Sequence, residues 1–269
     1  MLISNIKNYS FLRIYKGLLR RLFDIPDIIT WYLPTKLSKN NKDKIRKLNN
    51  KHKGRRCFII ANGPSLKTMD LTLLKNEYII GMNRIYLLKD KIGFLPNYIA
   101  VSDIEIQLNQ FHEEYDKINI PKFFPWKVRG KFKSSNNIHY FRMKYKTDFS
   151  PNFTKFIGAG KSVTVVCIQL AYYLGFSEVI LIGKDHSYSH KQKGVPGTRI
   201  RSTGDEHNHF IADYYKKGMK WTIPNYSEEE LAYIHAKDAY ENDGRKIYDA
   251  TIDGHLNIFQ KKDFLSFFK

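Results

Sequence analysis

Four short apolar runs, each ending abruptly in polar or small residues, constrain this chain most. Cys57 to Ala61 runs into Asn62-Gly63-Pro64-Ser65, Tyr78 to Met82 into Asn83-Arg84, Tyr98 to Val101 into Ser102-Asp103, and Glu178 to Ile182 into Gly183-Lys184-Asp185-His186. Continuous apolar strands of this length, separated by helical stretches, are the sequence signature of a mostly parallel sheet covered on both faces. The fold class read from the pattern is therefore α/β. In such sheets the carboxyl ends of the strands form the ligand crevice, so the first three of these polar ends are the first site candidates. Val163 to Leu174 predicts a helix closed by Gly175, and a later helix spans about Glu228 to Glu241 before a short strand at Lys246 to Asp249. Between Glu105 and Asn152 the chain is aromatic and basic, with one expected strand at His139 to Met143. The stretch from Ser187 to His207 reads as a mobile loop over the site.

Charge divides the chain unevenly. Residues 1–56 carry fifteen Lys or Arg against three Asp, a surplus of twelve within a total of +19. From Phe11 to Leu37 apolar and basic residues alternate as in one or two amphipathic helices, broken at Pro26, and Lys36 to Arg56 reads as a solvated linker. The expected organisation is a basic amphipathic segment over 1–50 and a catalytic α/β domain over 51–269. The segment suits an anionic membrane surface; a hairpin packed on the domain, or a dimer contact, would account for the same pattern. No run reaches the ~20 apolar residues of a spanning helix, and basic residues interrupt every candidate signal-peptide core. The expected location is cytoplasmic, peripheral on the inner membrane face. Cys57 and Cys167 lie in apolar contexts and predict buried thiols, and there is no Cys/His spacing for zinc, so no structural metal is expected. No nucleic-acid fold signature occurs, so no nucleic-acid partner is expected; self-association is left open.

The chemistry-bearing residues cluster after the strands. Asn62-Gly63-Pro64-Ser65 is a small-residue turn whose backbone N–H groups are expected to approach a phosphate or a base. Gly160-Lys161-Ser162 lacks the earlier glycine of an ATPase phosphate loop, since Lys155 stands there, but a helix start of this kind favours anions. Asp185, His186 and Tyr188 follow the end of the run Glu178 to Ile182, and His209 and Asp213 come after the loop. Transfer of a sugar with inversion needs one base to take the acceptor's proton and donors that face the departing phosphate. His209 and Asp213 are the two candidates for that base, with Tyr188, Arg199 and Arg201 as the phosphate-facing group.

Two resemblances rest on these residues. Ile60 to Leu66, Met82-Asn83, and Leu174-Gly175-Phe176 through Asp185 resemble glycosyltransferase family 42, the bacterial sialyltransferases. That likeness implies a Rossmann-like sheet in a GT-A-like variant, a CMP-activated sialic acid or related acidic sugar as donor, no metal or other cofactor, and inversion. It puts the nucleotide against Asn62, Gly63, Ser65 and Asn83, with further donor contacts near Ser162 and Asp185. Pro64, Ser102, Asp103, Gly160 and His186 complete the expected donor side, and a surface glycan or lipid-linked glycan is the expected acceptor. At the family's catalytic histidine, His209-Phe210-Ile211-Ala212 here leads to Asp213. The second likeness covers more of the chain: Ser162-Val163-Thr164, Gln169-Leu170-Ala171, Gly183 to His186, His209-Phe210, Tyr248 to Thr251 and Leu256 to Phe259 are similar to the MptE-like family, which includes pterin diphosphokinases. A diphosphokinase implies magnesium-ATP, with Asp103 and Asp185 as ligands.

Overall fold

The computed structural model describes residues 22, 24–133, 135–187, 195–204, 207–212 and 214–269. Two compact units divide the chain, 1–43 and 44–269, each taken by itself. In the first, residues 24–32 are helical. Trp31 is fully buried, and its carbonyl accepts from Ser38 Oγ (2.8 Å) and Lys42 Nζ (2.6 Å).

The solvated linker expected over 36–56 is not there. Helix α1 (Lys36–Arg46) occupies its first half, and Ile45, Leu48 and His52 are buried at helical spacing among the lysines and asparagines that masked them. The following turns are tied down as well: the backbone N–H groups of Asn50, His52 and Gly54 donate to the carbonyls of Tyr173, Leu174 and Gly175.

In chain order the second unit holds β1 (Arg56–Ile60), β2 (Ile79–Met82), helix α2 (Lys89–Ile92), β3 (Tyr98–Ala100), helix α3 (His112–Lys117), β4 (Lys122–Pro125), β5 (Ile138–Phe141), β6 (Met143–Lys144) and β7 (Ile157–Gly158). Helix α4 (Val163–Leu174), β8 (Glu178–Ile182), β9 (Arg199–Arg201), β10 (Lys220–Thr222), helix α5 (Tyr226–Asn242), β11 (Lys246–Asp249) and β12 (Gln260–Lys261) follow. Eight strands form one sheet in the order β12-β11-β8-β1-β2-β3-β4-β5, and every pairing in it is parallel. This is an α/β, Rossmann-like architecture. β6 pairs with β7, and β9 with β10, outside it. The predicted mobile loop thus contains a strand: β9 is held by β10 through Ile200 opposite Trp221.

The aromatic middle region adds two strands at the sheet edge. Lys122 to Pro125 was hidden by its shortness and by its proline, which is tolerated at a strand's end. Side chains of β1, β2, β3 and β8 are buried on both faces, which is why these strands read as unbroken apolar runs. Each such aliphatic or aromatic side chain contributes about 1.5 to 3 kcal/mol by leaving water. Helix α4 packs ten of its twelve residues into this core and stops at Gly175, whose φ of 90° lies where only glycine is comfortable. Cys57 and Cys167 are buried free thiols, with Cys57 pushed up by burial.

His139 on β5 makes this core sensitive to acid. Its ring stacks on Phe123 at 4.9 Å, its buried Nδ1 makes no hydrogen bond among the described residues, and burial followed by the Lys44 ammonium pushes it down to about 4. A histidine lowered on folding resists the proton that the unfolded chain takes up near 6.5. Stability is therefore full above 6.5 and declines as pH falls from there toward 4, by up to about 3 kcal/mol. Urea midpoints measured across that window are expected to fall for the wild-type chain and to fall less for His139→Phe.

Candidate functional site

The chain leaves β1 toward β5 on one side, then returns to β1's other side as β8, β11 and β12. The strand order therefore reverses between β1 and β8, and the crevice outside their carboxyl ends is where open parallel sheets bind ligands.

Two segments that sequence analysis singled out meet there. The Asp185 carboxylate after β8 accepts from Ser65 N–H (3.0 Å) and Ser65 Oγ (2.9 Å) after β1, across 120 residues. Gly63 N–H donates to the Gly183 carbonyl at 2.9 Å. The turn Gly63-Pro64-Ser65 thus spends its N–H groups on β8's end, and Pro64 has none. That corrects the expectation that this turn offers them to a phosphate. Gly63 is needed for space: a Cβ at this position would overlap the Asp185 carboxylate and the Gly183 carbonyl. Its φ of −71° is open to any residue, so contact and not conformation selects glycine.

Asn62 Nδ2 donates to the Met82 carbonyl (3.3 Å), which brings the ends of β1 and β2 together. Asn83 follows at a φ of 49°, left-handed backbone that asparagine tolerates better than most residues. The side-chain oxygens of both Asn62 and Asn83 are buried and make no hydrogen bond among the described residues. Buried amide oxygens are normally satisfied, which makes these two candidate acceptors. The start of α4 borders the same strand, since Thr164 Oγ1 contacts Met82 Sδ at 3.5 Å. Ser162, the N-cap, makes no cap hydrogen bond through its side chain.

His209 lies over these strand ends. Phe210 N–H donates to the Asn62 carbonyl (3.0 Å), and the buried His209 ring stacks on Tyr214 at 4.1 Å with 3° between planes. Arg84, at one of the polar ends read from sequence, and Gln107, which the sequence did not single out, hold this segment in place. Arg84, buried after β2, donates from Nη1 to the Tyr214 carbonyl (2.7 Å), and its own N–H reaches Tyr214 OH (3.3 Å). The guanidinium lies 4.0 Å from the Phe111 ring centroid and 3.5 Å from the Glu114 carboxylate. Gln107 Nε2 donates to Tyr215 OH at 2.7 Å. The local signal was a lone Arg after a strand and a Gln in an irregular turn, neither of which announces burial.

The other predicted residues divide into groups. His186, at a φ of 53°, turns toward α5, where Nε2 meets Glu230 (2.9 Å) and the ring lies against Tyr226. Burial lowers its pKa, with Glu230 opposing. Lys184 pairs with buried Glu229 at 2.9 Å, and its ammonium sits 5.7 Å from the Tyr233 ring centroid. Ser162 Oγ lies 3.1 Å from Tyr233 OH, and Gly160 adjoins Ala232, so both border α5 as well. Ser102 and Asp103 follow β3; Asp103 caps the turn Ile104–Leu108 through Ile106 N–H (2.9 Å), and burial raises its pKa against the pull of Arg199. Arg199 pairs with Glu105, and Arg201 donates to the Gly218 carbonyl (3.0 Å). Tyr188 and Asp213 lie outside the described residues.

A sequence profile of the family described as 6-hydroxymethylpterin diphosphokinase MptE-like matches residues 33–191. Among solved structures, the MAf glycosyltransferase from Magnetospirillum magneticum AMB-1 shares the fold with a TM-score of 0.50 and 15% identity, over 82% of this chain and 37% of that one. This chain therefore corresponds to well under half of that protein's length. Curated protein sequences give no match.

Proposed function

Since the chain belongs to the MptE-like family, we propose that the crevice between β1 and β8 holds a nucleotide-activated substrate, and that the reaction is glycosyl transfer from a CMP-linked acidic sugar to a glycan or lipid-linked glycan acceptor. The observation that carries this reading is the pair of buried amide oxygens of Asn62 and Asn83, without a hydrogen-bond partner among the described residues, at adjacent strand ends beside the switch point. Two buried acceptors at the ends of paired strands suit the exocyclic amine of a base such as cytosine. A fold shared with a solved glycosyltransferase agrees with it. In this scheme the acceptor hydroxyl attacks the anomeric carbon while its proton passes to His209 or Asp213, and the bond from that carbon to the phosphate oxygen breaks with inversion. The stacked Tyr214 fixes the plane of the His209 ring.

The family's description favours a second reading, pyrophosphoryl transfer from magnesium-ATP. Among the described residues no three His, Cys, Asp or Glu side chains converge as a metal-binding group, and Asp185 has both oxygens engaged by Ser65. A preformed magnesium cage is not what these residues fit, although substrate phosphates supply much of such a coordination shell.

Thermal unfolding separates the two. CMP at about a hundredfold above its Kd, in chelator, is expected to raise the melting temperature by about 5 °C. Asn62→Ala and Asn83→Ala are each expected to lose at least about half of that shift, the donor then lacking its acceptor. Stabilisation by magnesium-ATP alone would overturn the transferase reading, and undiminished CMP shifts in both variants would overturn the amide assignment.

A further inference from the structure

The first unit carries an apolar face that the site does not use. Leu22, Ile25, Ile29, Tyr32 and Leu33 are 57, 44, 50, 56 and 48% exposed. At 100° per residue these positions fall within a sector about 100° wide, the width of a buried stripe on an amphipathic helix. Trp31 points the opposite way and is fully buried, fixed through its carbonyl by Ser38 and Lys42 and over its ring by the Lys42 ammonium at 4.9 Å. The helix thus already has its inward face, and the exposed stripe is a second one. Asp24 and Asp27 fall on the Trp31 half of the wheel, away from the stripe. Beyond Pro34, Leu37 is exposed together with Lys36 and Lys39.

From this geometry we infer that the stripe docks the chain on an anionic lipid bilayer, with the leucine, isoleucine and tyrosine side chains entering the acyl boundary and the flanking lysines meeting headgroup phosphates. Charge selects this occupant. Residues 1–56 carry fifteen basic residues against three acidic ones, which draws them to an anionic surface and sets two copies of the segment against each other. The helix lies in the surface plane: among the described residues none is long and apolar enough to cross a membrane. This inference is independent of the glycosyl-transfer reading.

Co-sedimentation of the full chain with vesicles tests it. Wild type is expected to bind phosphatidylcholine vesicles containing about a third phosphatidylglycerol, to ignore pure phosphatidylcholine, and to be released by raised salt. Ile25→Glu with Ile29→Glu, both at exposed positions, is expected to weaken binding by about tenfold or more with an unchanged melting temperature. Lys36→Glu with Lys39→Glu should weaken it comparably and flatten the salt dependence. Binding by the isoleucine variant as tight as wild type, or no wild-type binding to the anionic vesicles, overturns the inference. So does a wild-type dimer that the glutamates convert to monomer without vesicle binding, since the stripe would then belong to a second copy.

Discussion

Gly63→Ala is expected to abolish the CMP-induced thermal shift and to lower transfer at least about a hundredfold, while most of the sheet stays folded. The methyl group would overlap the Asp185 carboxylate and sit 2.5 Å from the Gly183 carbonyl. One of these is a backbone atom at the end of a central strand, so the turn itself must move. Moving it breaks the Gly63 N–H bond to Gly183 and both Ser65 bonds to Asp185. Asn62 is the adjacent residue, so its bond to the Met82 carbonyl is disturbed as well. A cost of about 2 to 3 kcal/mol in urea unfolding accompanies the loss, from overpacking and broken hydrogen bonds. Isothermal titration with CMP, run where the variant is fully folded, decides the matter. Wild-type affinity there would mean that the turn between β1 and β8 is a structural joint and that the nucleotide sits elsewhere.

Arg84→Ala is expected to destabilise the chain by about 3 kcal/mol and to reduce transfer by at least about a hundredfold at temperatures where it remains folded. The guanidinium is buried, stacked on Phe111 and bonded to the Tyr214 carbonyl, and Tyr214 is the surface on which His209 lies. Removing it leaves that carbonyl without its cation and opens a cavity beneath the segment 209–212. Arg84→Lys separates the two effects. Lysine keeps the charge beside Glu114 but cannot make the forked contacts, so stability is expected to recover in part while activity stays about tenfold down. The diagnostic is the split between kcat and KM: a displaced base lowers kcat with little change in the donor's KM. Equal loss from Arg84→Lys and Arg84→Ala in stability, with full activity in both, would make Arg84 a packing residue only.

Much of the site was legible because its parts are local. The ends of β1, β2, β3 and β8 were readable as places where an apolar run stops at Asn, Gly, Ser or Asp, and those of β1 and β8 flank the point where the strand order reverses. The burial of Arg84, Gln107 and Glu229 was not readable, because a charged or amide side chain gives no sign of being buried until its partner from another element is known. The Asn62-Gly63-Pro64-Ser65 turn shows both sides. Its composition marked it as special, but whether its N–H groups served a ligand or β8 depended on which strand lay next to β1.

The sequence by itself determined the α/β class, the boundaries of α4, β8 and β11, the Gly175 stop and the basic character of the first fifth of the chain. These follow from periodicity, turn chemistry and charge within a few residues, where each choice is made against water and the neighbouring backbone. Tertiary structure alone decided that β8 returns beside β1, that Asp185 closes on Ser65, that Lys36 to Arg46 is helix rather than linker, and that Lys122 to Pro125 joins the sheet. Those outcomes rest on pairings between residues tens to more than a hundred positions apart. Such pairings are selected by the burial and hydrogen bonding of the whole sheet, which no local pattern encodes.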